Sequence, residues 1–416
     1  MTYAVLTLGC KLNQADSAAV AGRLGGASRA VAVKDADLVI LNTCTVTHKA
    51  DRDARHLIRT VRRQNPQALV AVMGCAARRD AGTFRSMPEV DAVLDCSDAL
   101  ETFLATHALE NELGAHGTHP CFGDRTRALL KVQEGCNFPC AYCIVPSVRG
   151  PSRSVTPDLV MDDFTALLEA GYREIVLTGI NTGEYGKDLG LPGGLPALLE
   201  HLLHVPGPYR IRLNSIEPRA VTSGLIALLR TEPRLCRHLQ IPLQSGSDRV
   251  LANMRRNYRA GFYKDLIGEL AETIPAIGLG ADVLVGFPTE SNEDFDATLS
   301  LLAQSPLAFL HAFSYSSRPG TEAGGLPVLP PKIVAGRAAR VRAMAQEKKE
   351  TFIRSLRGIP LEALTLVGED GRGRALTDNF LDVTLPELLP PNRFVRLLLA
   401  VPSAGRLTGS VVTRSE

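Results

Sequence analysis

The stretch Ala128-Leu-Leu-Lys-Val-Gln-Glu-Gly-Cys136-Asn-Phe-Pro-Cys140-Ala-Tyr-Cys143 joins a short apolar run to three closely spaced cysteines. The apolar run has the length of a buried strand, and the cysteine loop follows it directly. Chance is a poor explanation of the C-x3-C-x2-C spacing, because 9 cysteines in 416 residues give only about 0.004 expected matches. The sequence therefore predicts a functional loop at the carboxyl end of a strand.

Three thiolates in one loop limit the choice of ligand. They can bind a [4Fe–4S] cluster and leave one iron open to a substrate or cofactor. A structural zinc site is the alternative, but it requires four ligands, usually in C-x2-C pairs, and the sequence shows neither feature here. Three ordinary buried cysteines are the remaining interpretation.

Strand and helix patterns alternate across residues 127–330. Six βα units of this kind predict a partial (β/α)6 barrel of the TIM type, with functional side chains at the carboxyl ends of the strands. The predicted strands are Ala128–Gln133, Glu174–Thr178, Arg210–Leu213, His238–Ile241, Ala281–Val285 and Phe309–Ser314.

Polar residues follow several of these strands and are candidates for binding a cofactor. They are Gly179, Asn181, Ser215, Glu217 and Gln244, with Phe287 as an apolar wall. Neutral amides and hydroxyls suit an uncharged nucleoside, but they also suit the cap of a following helix. Glu217 is alternatively a loop carboxylate paired with Arg219 or Arg212, and Phe287 alternatively belongs to a strand-ending turn.

Two arginines, Arg149 and Arg153, follow the cysteine loop. Guanidinium groups bind carboxylates and phosphates through paired hydrogen bonds, so both are candidates for contacting a cofactor. The competing interpretation is that they are ordinary surface arginines.

Residues 1–96 predict a separate α/β domain with a parallel sheet. Apolar runs at Tyr3–Leu8, Ala36–Leu41 and Ala68–Met73 alternate with helical stretches, which is typical of such sheets. A cysteine follows each run, namely Cys10, Cys44 and Cys75. Because the carboxyl ends of parallel strands share one edge, we expect these cysteines to converge. Isolated buried cysteines are the alternative.

The rest of the chain divides into three parts. Residues 97–126 show no periodicity and predict a connector. A basic helix is predicted over residues 331–358, and short apolar runs in residues 359–416 predict a small all-β barrel. Small barrels of this sort often bind RNA, and the arginines of the helix and barrel form a candidate phosphate-binding surface. An ordinary solvated face is the alternative.

Composition limits the class of protein. The hydrophobic fraction is 45%, the charged fraction 22% and the formal charge +2, which is ordinary for a globular protein. The odd number of scattered cysteines and the lack of a signal-peptide pattern argue against a secreted disulfide framework. No apolar stretch reaches the ~18 residues of a membrane span. We expect a cytoplasmic protein with reduced thiols and no membrane partner, in which Cys96, Cys121 and Cys236 are structural or incidental.

The cysteine loop resembles the signature of radical S-adenosylmethionine (SAM) enzymes. The resemblance implies a [4Fe–4S] cluster on Cys136, Cys140 and Cys143 whose open iron binds SAM. It also implies reductive cleavage of SAM to a 5′-deoxyadenosyl radical. Tyr142 would pack near the adenine.

Across essentially the whole chain, the sequence is similar to the methylthiotransferases. Matching elements are Gly9-Cys10-Lys-Leu-Asn13, Asn42-Thr43-Cys44, Gly74-Cys75, Arg149-Gly-Pro-Ser-Arg153-Ser154 and Tyr315-Ser-Ser-Arg-Pro-Gly-Thr321. The resemblance implies a second [4Fe–4S] cluster on Cys10, Cys44 and Cys75, and a C-terminal TRAM-like domain. The sequence departs from the family pattern at Asp16, Ser147 and residues 391–393, and none of these positions is a cluster cysteine.

This resemblance implies an enzyme that converts N6-threonylcarbamoyladenosine, next to the anticodon of tRNA, into its 2-methylthio derivative. The clusters and SAM carry the chemistry, so no side chain is assigned as catalytic. Isopentenyladenosine in tRNA and an aspartate of a ribosomal protein are alternative substrates. A non-enzymatic iron–sulfur or zinc RNA-binding protein is a different class. Expected partners are the tRNA anticodon arm, an electron donor such as a flavodoxin or ferredoxin, and a sulfur donor.

Overall fold

The computed structural model describes residues 1–24, 29–95, 97–106, 126–400 and 406–414. An N-terminal α/β domain, a central partial barrel and a C-terminal all-β domain follow one another along the chain. This order confirms the predicted fold class. Cys96 and Cys121 lie outside the described residues.

A five-stranded parallel sheet in the order β2-β1-β3-β4-β5 forms the N-terminal domain. The side chains of β3 alternate between two cores, because Val39 packs with helix α2 through Ile58, and Leu38 packs with helix α1 through Val20. The elements are β1 (Thr2–Thr7), α1 (Lys11–Leu24), β2 (Arg29–Ala30), β3 (Leu38–Thr43), α2 (His48–Gln64), β4 (Leu69–Gly74), α3 (Cys75–Arg79), α4 (Ala81–Arg85), β5 (Ala92–Leu94) and α5 (Ser97–Thr106).

Helix α5 lies in the segment for which the sequence predicts a connector. Its Leu100 and Phe103 are buried against β3 and α1, in the same core as Ile40 and Val20. The N-terminal domain therefore extends to Thr106, and residues 107–125 lie outside the described parts of the chain. The apolar side chains of α5 lie three apart, which is the helical spacing that the sequence reading overlooked.

The central unit contains the six predicted barrel strands as two parallel three-stranded sheets, β6-β9-β10 and β11-β12-β13. A bridge between Ser215 and Gln240 joins them. The elements are β6 (Ala128–Lys131), β7 (Gln133–Glu134), α6 (Val145–Arg149), β8 (Arg153–Ser154), α7 (Pro157–Glu169), β9 (Glu174–Thr178), α8 (Gly194–Leu203), β10 (Arg210–Leu213), α9 (Ser223–Thr231), β11 (His238–Gln240), α10 (Asp248–Asn253), α11 (Ala260–Thr273), β12 (Gly278–Val285), α12 (Asn292–Gln304) and β13 (Phe309–Ser314).

The predicted first barrel strand ends earlier than expected. Strand β6 stops at Lys131, and Gln133 pairs instead with Ser154 in the short antiparallel ribbon β7–β8. Buried Gln133 donates from Nε2 to the carbonyl of Gly135 at 2.8 Å and to Oγ of Ser152 at 2.9 Å. These bonds turn the chain out of the sheet and into the cysteine loop.

The C-terminal domain is a five-stranded antiparallel barrel in the order β16-β15-β14-β17-β18. The sequence did not predict strand β15. Its start, Arg372-Gly-Arg374, carries charges, but Asp370 and Gly371 both have positive φ and form the tight turn of a hairpin. The elements are α13 (Pro331–Ser355), β14 (Leu361–Glu369), β15 (Arg372–Thr377), β16 (Asp382–Leu385), β17 (Phe394–Leu399) and β18 (Gly409–Arg414).

A buried carboxylate joins the C-terminal domain to the base of the central barrel. Glu174 accepts from Nε of Arg210 at 2.7 Å and from Nε of Arg212 at 2.8 Å. The same arginines donate to the backbone carbonyls of Leu376 and Thr377. The arginines hold the pKa of Glu174 well below its ordinary value, against the effect of burial. In the described ranges, no helix combines the length and the apolar character needed to cross a membrane.

Candidate cofactor and substrate site

The three N-terminal cysteines lie close together, and two of them contact the side chain of Asn13. Its Oδ1 accepts hydrogen bonds from Sγ of Cys10 at 3.5 Å and Sγ of Cys75 at 4.0 Å. Cys44 is near enough for the charges of both other thiols to act on it. Asn13 is fixed in turn, because its Nδ2 donates to the carbonyl of Thr43 at 3.0 Å. The structure therefore brings together the three cysteines that follow β1, β3 and β4.

Two glycines allow this close approach. Gly9 precedes Cys10 with a φ of +108°, and a Cβ at Gly9 would lie 2.8 Å from Cβ of Cys44. Gly74 precedes the third cysteine with a φ of +94°, and a Cβ there would lie 2.5 Å from the carbonyl oxygen of Thr43. Both positions require glycine, because a side chain would be strained and would meet its neighbours.

Backbone hydrogen bonds hold the central cysteine loop against the barrel. The N–H of Cys136 donates to the carbonyl of Gly150, and the N–H of Ala141 donates to the carbonyl of Met254, both at 3.1 Å. These bonds fix one loop that carries Cys136, Cys140 and Cys143.

The surroundings of these thiols suit ligands of a metal cluster. Burial raises the pKa of all three, to about 12 for Cys143. Thiols of this kind stay protonated at neutral pH until a metal displaces the proton. Arg256 supplies a positive charge, because its Nη1 donates to Sγ of Cys140 at 3.2 Å. Among the described side chains, no group of three His, Cys, Asp or Glu is arranged to hold a single metal ion.

Arg256 also connects the cysteine loop to Glu217, to which its Nη2 donates a hydrogen bond. Burial raises the pKa of Glu217 despite this partner. The alternative pairing with Arg212 or Arg219 is wrong: Arg212 bonds to Glu174, and Arg219 donates to a backbone carbonyl before α11. Sequence spacing missed Arg256 because it lies 39 positions from its partner.

Asn181, after β9, is a buried amide without a partner. Neither its Nδ2 nor its Oδ1 has a hydrogen bond to any described residue, which costs about 1–3 kcal/mol if nothing binds. Its backbone N–H is fixed by Oε1 of Gln133 at 2.9 Å. Gly179 packs on the same glutamine, because a Cβ there would lie 2.9 Å from that oxygen. The orphaned amide fits contact with a bound cofactor.

A cavity of about 200 Å³ lies between the central cysteine loop and the loop that follows Cys44. Tyr142 and Cys143 line one side, and Val46 and Thr47, on the loop after the second N-terminal cysteine, line the other. Gln244 lines it as well, with a φ of +63°. Strained non-glycine residues of this kind cluster at ligand sites. The cavity is therefore a candidate substrate site, bordered by the central cysteine loop and by the loop that follows Cys44.

Seven of the nine predicted cofactor contacts do not line this cavity, and Ser215, Phe287 and Arg153 are among them. Ser215 joins β10 to β11, and its carbonyl accepts from Oγ1 of Thr182 at 3.2 Å. Phe287 is fully buried behind the cysteine loop, with its ring centroid 5.8 Å from that of Tyr315. It packs in the cluster that supports Tyr142 and is not an open wall. Arg153 is exposed on β8.

Arg149 has a role different from the predicted one. It is 3% exposed and extends toward the N-terminal domain. Its Nε donates to Sγ of Cys75 at 3.1 Å, its Nη1 to Asp16 at 2.7 Å and its Nη2 to Asn13 at 2.8 Å. Because each nitrogen already has a protein acceptor, Arg149 holds the N-terminal cysteine set and is not free to bind the carboxylate of a cofactor.

Arg318 is a residue that the sequence reading did not single out. It is 1% exposed and connects the central barrel to the N-terminal domain. Its Nη2 donates to Oγ1 of Thr45 and to Asp51, both at 2.7 Å, and its Nη1 lies 3.2 Å from Nδ1 of His48. Thr45 directly follows Cys44, so Arg318 fixes the backbone beside a cysteine. The run Tyr315–Thr321, which matches the methylthiotransferases and contains Arg318, was the feature of the sequence that could have identified this residue.

Comparison with known proteins identifies the family. Residues 2–95 match Uncharacterized protein family UPF0004, and residues 130–302 match the Radical SAM superfamily. Threonylcarbamoyladenosine tRNA methylthiotransferase MtaB of Bacillus subtilis is 35% identical over 404 residues, 92% of this chain and 90% of that protein. The chain belongs to the radical SAM methylthiotransferase family.

Other methylthiotransferases match at similar identity. MtaB of Aquifex aeolicus is 34% identical over 96% of this chain and 100% of that protein. The tRNA-2-methylthio-N(6)-dimethylallyladenosine synthase of Acidothermus cellulolyticus is 34% identical over 100% of this chain and 86% of its own length. Membership makes the protein a radical SAM enzyme, with SAM and a [4Fe–4S] cluster, and excludes the non-enzymatic alternatives.

Solved structures share the fold of this methylthiotransferase. TsrM of Kitasatospora setae, a radical SAM methyltransferase with tryptophan and a SAM analogue bound, matches with a TM-score of 0.58 and 13% identity. The match covers 78% of this chain and 75% of TsrM. At this identity the likeness concerns the fold alone.

Proposed function

We propose that this methylthiotransferase acts on N6-threonylcarbamoyladenosine, next to the anticodon of tRNA, and forms its 2-methylthio derivative. The cavity between the central cysteine loop and the loop after Cys44 carries the proposal, because Cys143 lines it on one side and Val46, two residues from Cys44, lines it on the other. The MtaB proteins of Bacillus subtilis and Aquifex aeolicus, which match over nine-tenths or more of their length, support this choice of nucleoside.

The N-terminal cysteines are proposed to hold a second [4Fe–4S] cluster. Three thiols around Asn13, with Arg149 donating to one of them, form a donor set like that of the central loop, where Arg256 has the same part. When bound, the central cluster and SAM supply a carbon radical able to abstract hydrogen from an unreactive C–H bond, and the N-terminal cluster supplies sulfur.

The chain's own residues position the reactants. The unpaired amide of Asn181 is proposed to bind SAM, and Arg256 with Glu217 fixes the cysteine loop beside it. Phe313 and Val46, each 50% exposed, offer apolar surface to the target base. Closure of the cavity around that base would exclude water from the reactive carbon centre.

The partners follow from this activity. Helix α13 and the C-terminal barrel form the proposed tRNA surface, because the cavity between Lys349, Arg354 and Arg406 is cationic and faces outward. An electron donor such as a flavodoxin or ferredoxin would reduce the central cluster, and a sulfur donor would restore the N-terminal one. A cytoplasmic location is proposed with this substrate.

Nucleoside mass spectrometry of tRNA from a deletion strain tests the proposal. The 2-methylthio derivative of N6-threonylcarbamoyladenosine should disappear and return with the wild-type gene. The dimethylallyladenosine synthase relatives define the second candidate. If the strain instead loses 2-methylthio-isopentenyladenosine, and the threonylcarbamoyl derivative persists with no second such enzyme present, the proposed substrate is wrong.

A further inference from the structure

A second cavity, of about 350 Å³, lies where the three domains meet. Its wall includes Lys11 from α1, Arg127 beside β6 and Arg374 from β15, together with the polar side chains of Gln14 and Thr126. Every charged side chain among the described residues of this wall is a cation. A cavity of this composition attracts an anion.

The three cations differ in how far they are neutralised. Arg374 donates to Asp382 at 2.6 Å and forms an ion pair with Glu369 at 3.3 Å. Arg127 lies 3.3 Å from Glu174, a carboxylate that two buried arginines already share. The ammonium of Lys11 donates to a neutral acceptor, Oδ1 of Asn214, at 2.9 Å. Lys11 and Arg127 therefore carry the charge available to a ligand.

Lys11 also links this cavity to the reaction site. It directly follows Cys10, a member of the N-terminal cysteine set, and its partner Asn214 lies at the carboxyl end of β10. Asp282, which lines the cavity beside Cys143, is near enough for its charge to act on Lys11. The ammonium of Lys11 is therefore within electrostatic range of the wall of the cavity in which the target base is proposed to bind.

We propose that Lys11 and Arg127 bind the carboxylate of the threonylcarbamoyl group on the target adenosine, and so select it over a dimethylallyl group. The inference rests on the proposed function. A threonylcarbamoyl group carries one carboxylate, whereas a dimethylallyl group is a hydrocarbon. The half-buried ammonium of Lys11, left without an anion, disfavours the apolar substrate, because sites built around a polar contact strongly reject ligands that lack it. A backbone phosphate of the tRNA is the other anion that could occupy the cavity.

Binding of three anticodon stem-loops tests this assignment without turnover. The loops carry N6-threonylcarbamoyladenosine, isopentenyladenosine or unmodified adenosine, and Kd is measured by fluorescence anisotropy on anaerobically reconstituted full-length protein. The variants are Lys11→Gln, Arg127→Gln and Lys11→Arg, with Lys34→Gln, an exposed lysine of the same domain, as the control. Melting temperature and iron content verify that each variant is folded.

Wild-type protein and Lys34→Gln should prefer the threonylcarbamoyl loop. Lys11→Gln should weaken binding of that loop about tenfold or more and leave the Kd of the unmodified loop unchanged. Arg127→Gln should likewise raise the Kd of the threonylcarbamoyl loop. Lys11→Arg keeps the positive charge and should therefore retain the preference. An equal loss for all loops would assign the cavity to backbone phosphate and overturn the inference. A preference that survives Lys11→Gln would overturn it while leaving the proposed substrate intact. No preference in the wild type would overturn the proposed substrate and the inference with it.

Discussion

Nε of Arg149 donates a hydrogen bond to Sγ of Cys75 at 3.1 Å, so the segment after the central cysteine loop directly contacts the N-terminal cysteine set. The same guanidinium bonds to Asp16 and Asn13, and Asn13 contacts two of the three cysteines. One hydrogen-bonded network therefore links the segment after the central cysteine loop to the N-terminal cysteine set. A substitution in this network should therefore affect cluster binding by the N-terminal cysteines first.

Arg149→Lys is expected to impair the N-terminal cluster selectively. A lysine keeps the charge but cannot reach Cys75, Asp16 and Asn13 together, because it lacks the planar fork of donors. Iron should fall from about eight atoms per chain, the content of two [4Fe–4S] clusters, toward four. Electron paramagnetic resonance should retain the signal of the SAM-binding cluster. If the signal of the SAM-binding cluster is lost and the signal of the N-terminal cluster is retained, Arg149 does not hold the N-terminal cysteine set.

Arg318→Lys is expected to impair methylthiolation of the base while SAM cleavage continues. The variant loses the paired contacts with Thr45 and Asp51 that fix the loop beside Cys44. Methylthiolated product should fall about 100-fold or more, as displacements of about 1 Å can cause, while 5′-deoxyadenosine formation from SAM continues. Arg340→Lys, an exposed arginine paired with Asp296, is the control. Parallel loss of both products would argue against a purely positioning role.

Asn181→Ala should weaken SAM binding without destabilising the protein. The buried amide has no partner in the described structure, so its removal relieves an unpaired polar group. We expect unchanged or higher thermal stability in the absence of SAM and about tenfold weaker SAM binding by calorimetry.

Asn65→Ala is the matched control for that variant. Nδ2 of Asn65 donates to the carbonyls of Val33 and Ala36, so its loss should lower stability and leave SAM affinity unchanged. Equal SAM affinity in the wild type and Asn181→Ala would remove Asn181 from the cofactor site.

Glu174→Gln should lower the melting temperature by leaving Arg210 and Arg212 buried without a countercharge, at a cost of about 3 kcal/mol or more. The pKa of Glu174 is lowered in the folded state. Its stabilising effect is therefore complete above the unfolded value, about 4.3, and is lost as pH falls below it. In thermal scans between pH 7 and 3, the difference in melting temperature between the two proteins should stay constant down to about pH 5 and then narrow progressively toward pH 3. A difference that stays constant over the whole range would contradict this account.

The sequence predicted the architecture well because short apolar runs and cysteine positions repeat at each strand end. It placed Cys10, Cys44 and Cys75 after three separate strands, and parallel pairing does bring them together. Strand β15 and helix α5 were missed, because charged residues at Arg372 and a weak helical pattern at residues 97–106 hid them.

The roles of individual arginines were less accessible from sequence. Arg149, Arg256 and Arg318 each contact a partner 39 or more positions away, so local spacing gives no sign of the pairing. Whether an arginine faces a cofactor or a neighbouring domain depends on tertiary packing. Likewise, only the tertiary structure shows that the side-chain amide of Asn181 has no hydrogen-bond partner among the described residues.

The most direct test of the central claim is incubation of the anaerobically reconstituted protein with SAM, a low-potential reductant and tRNA bearing N6-threonylcarbamoyladenosine. Nucleoside mass spectrometry then follows the modified base, with Cys44→Ala and Cys140→Ala as controls. The account predicts the 2-methylthio derivative with the wild type, and no such product with either variant. Formation of 5′-deoxyadenosine without methylthiolation of this nucleoside, together with methylthiolation of isopentenyladenosine in a parallel tRNA, would contradict it.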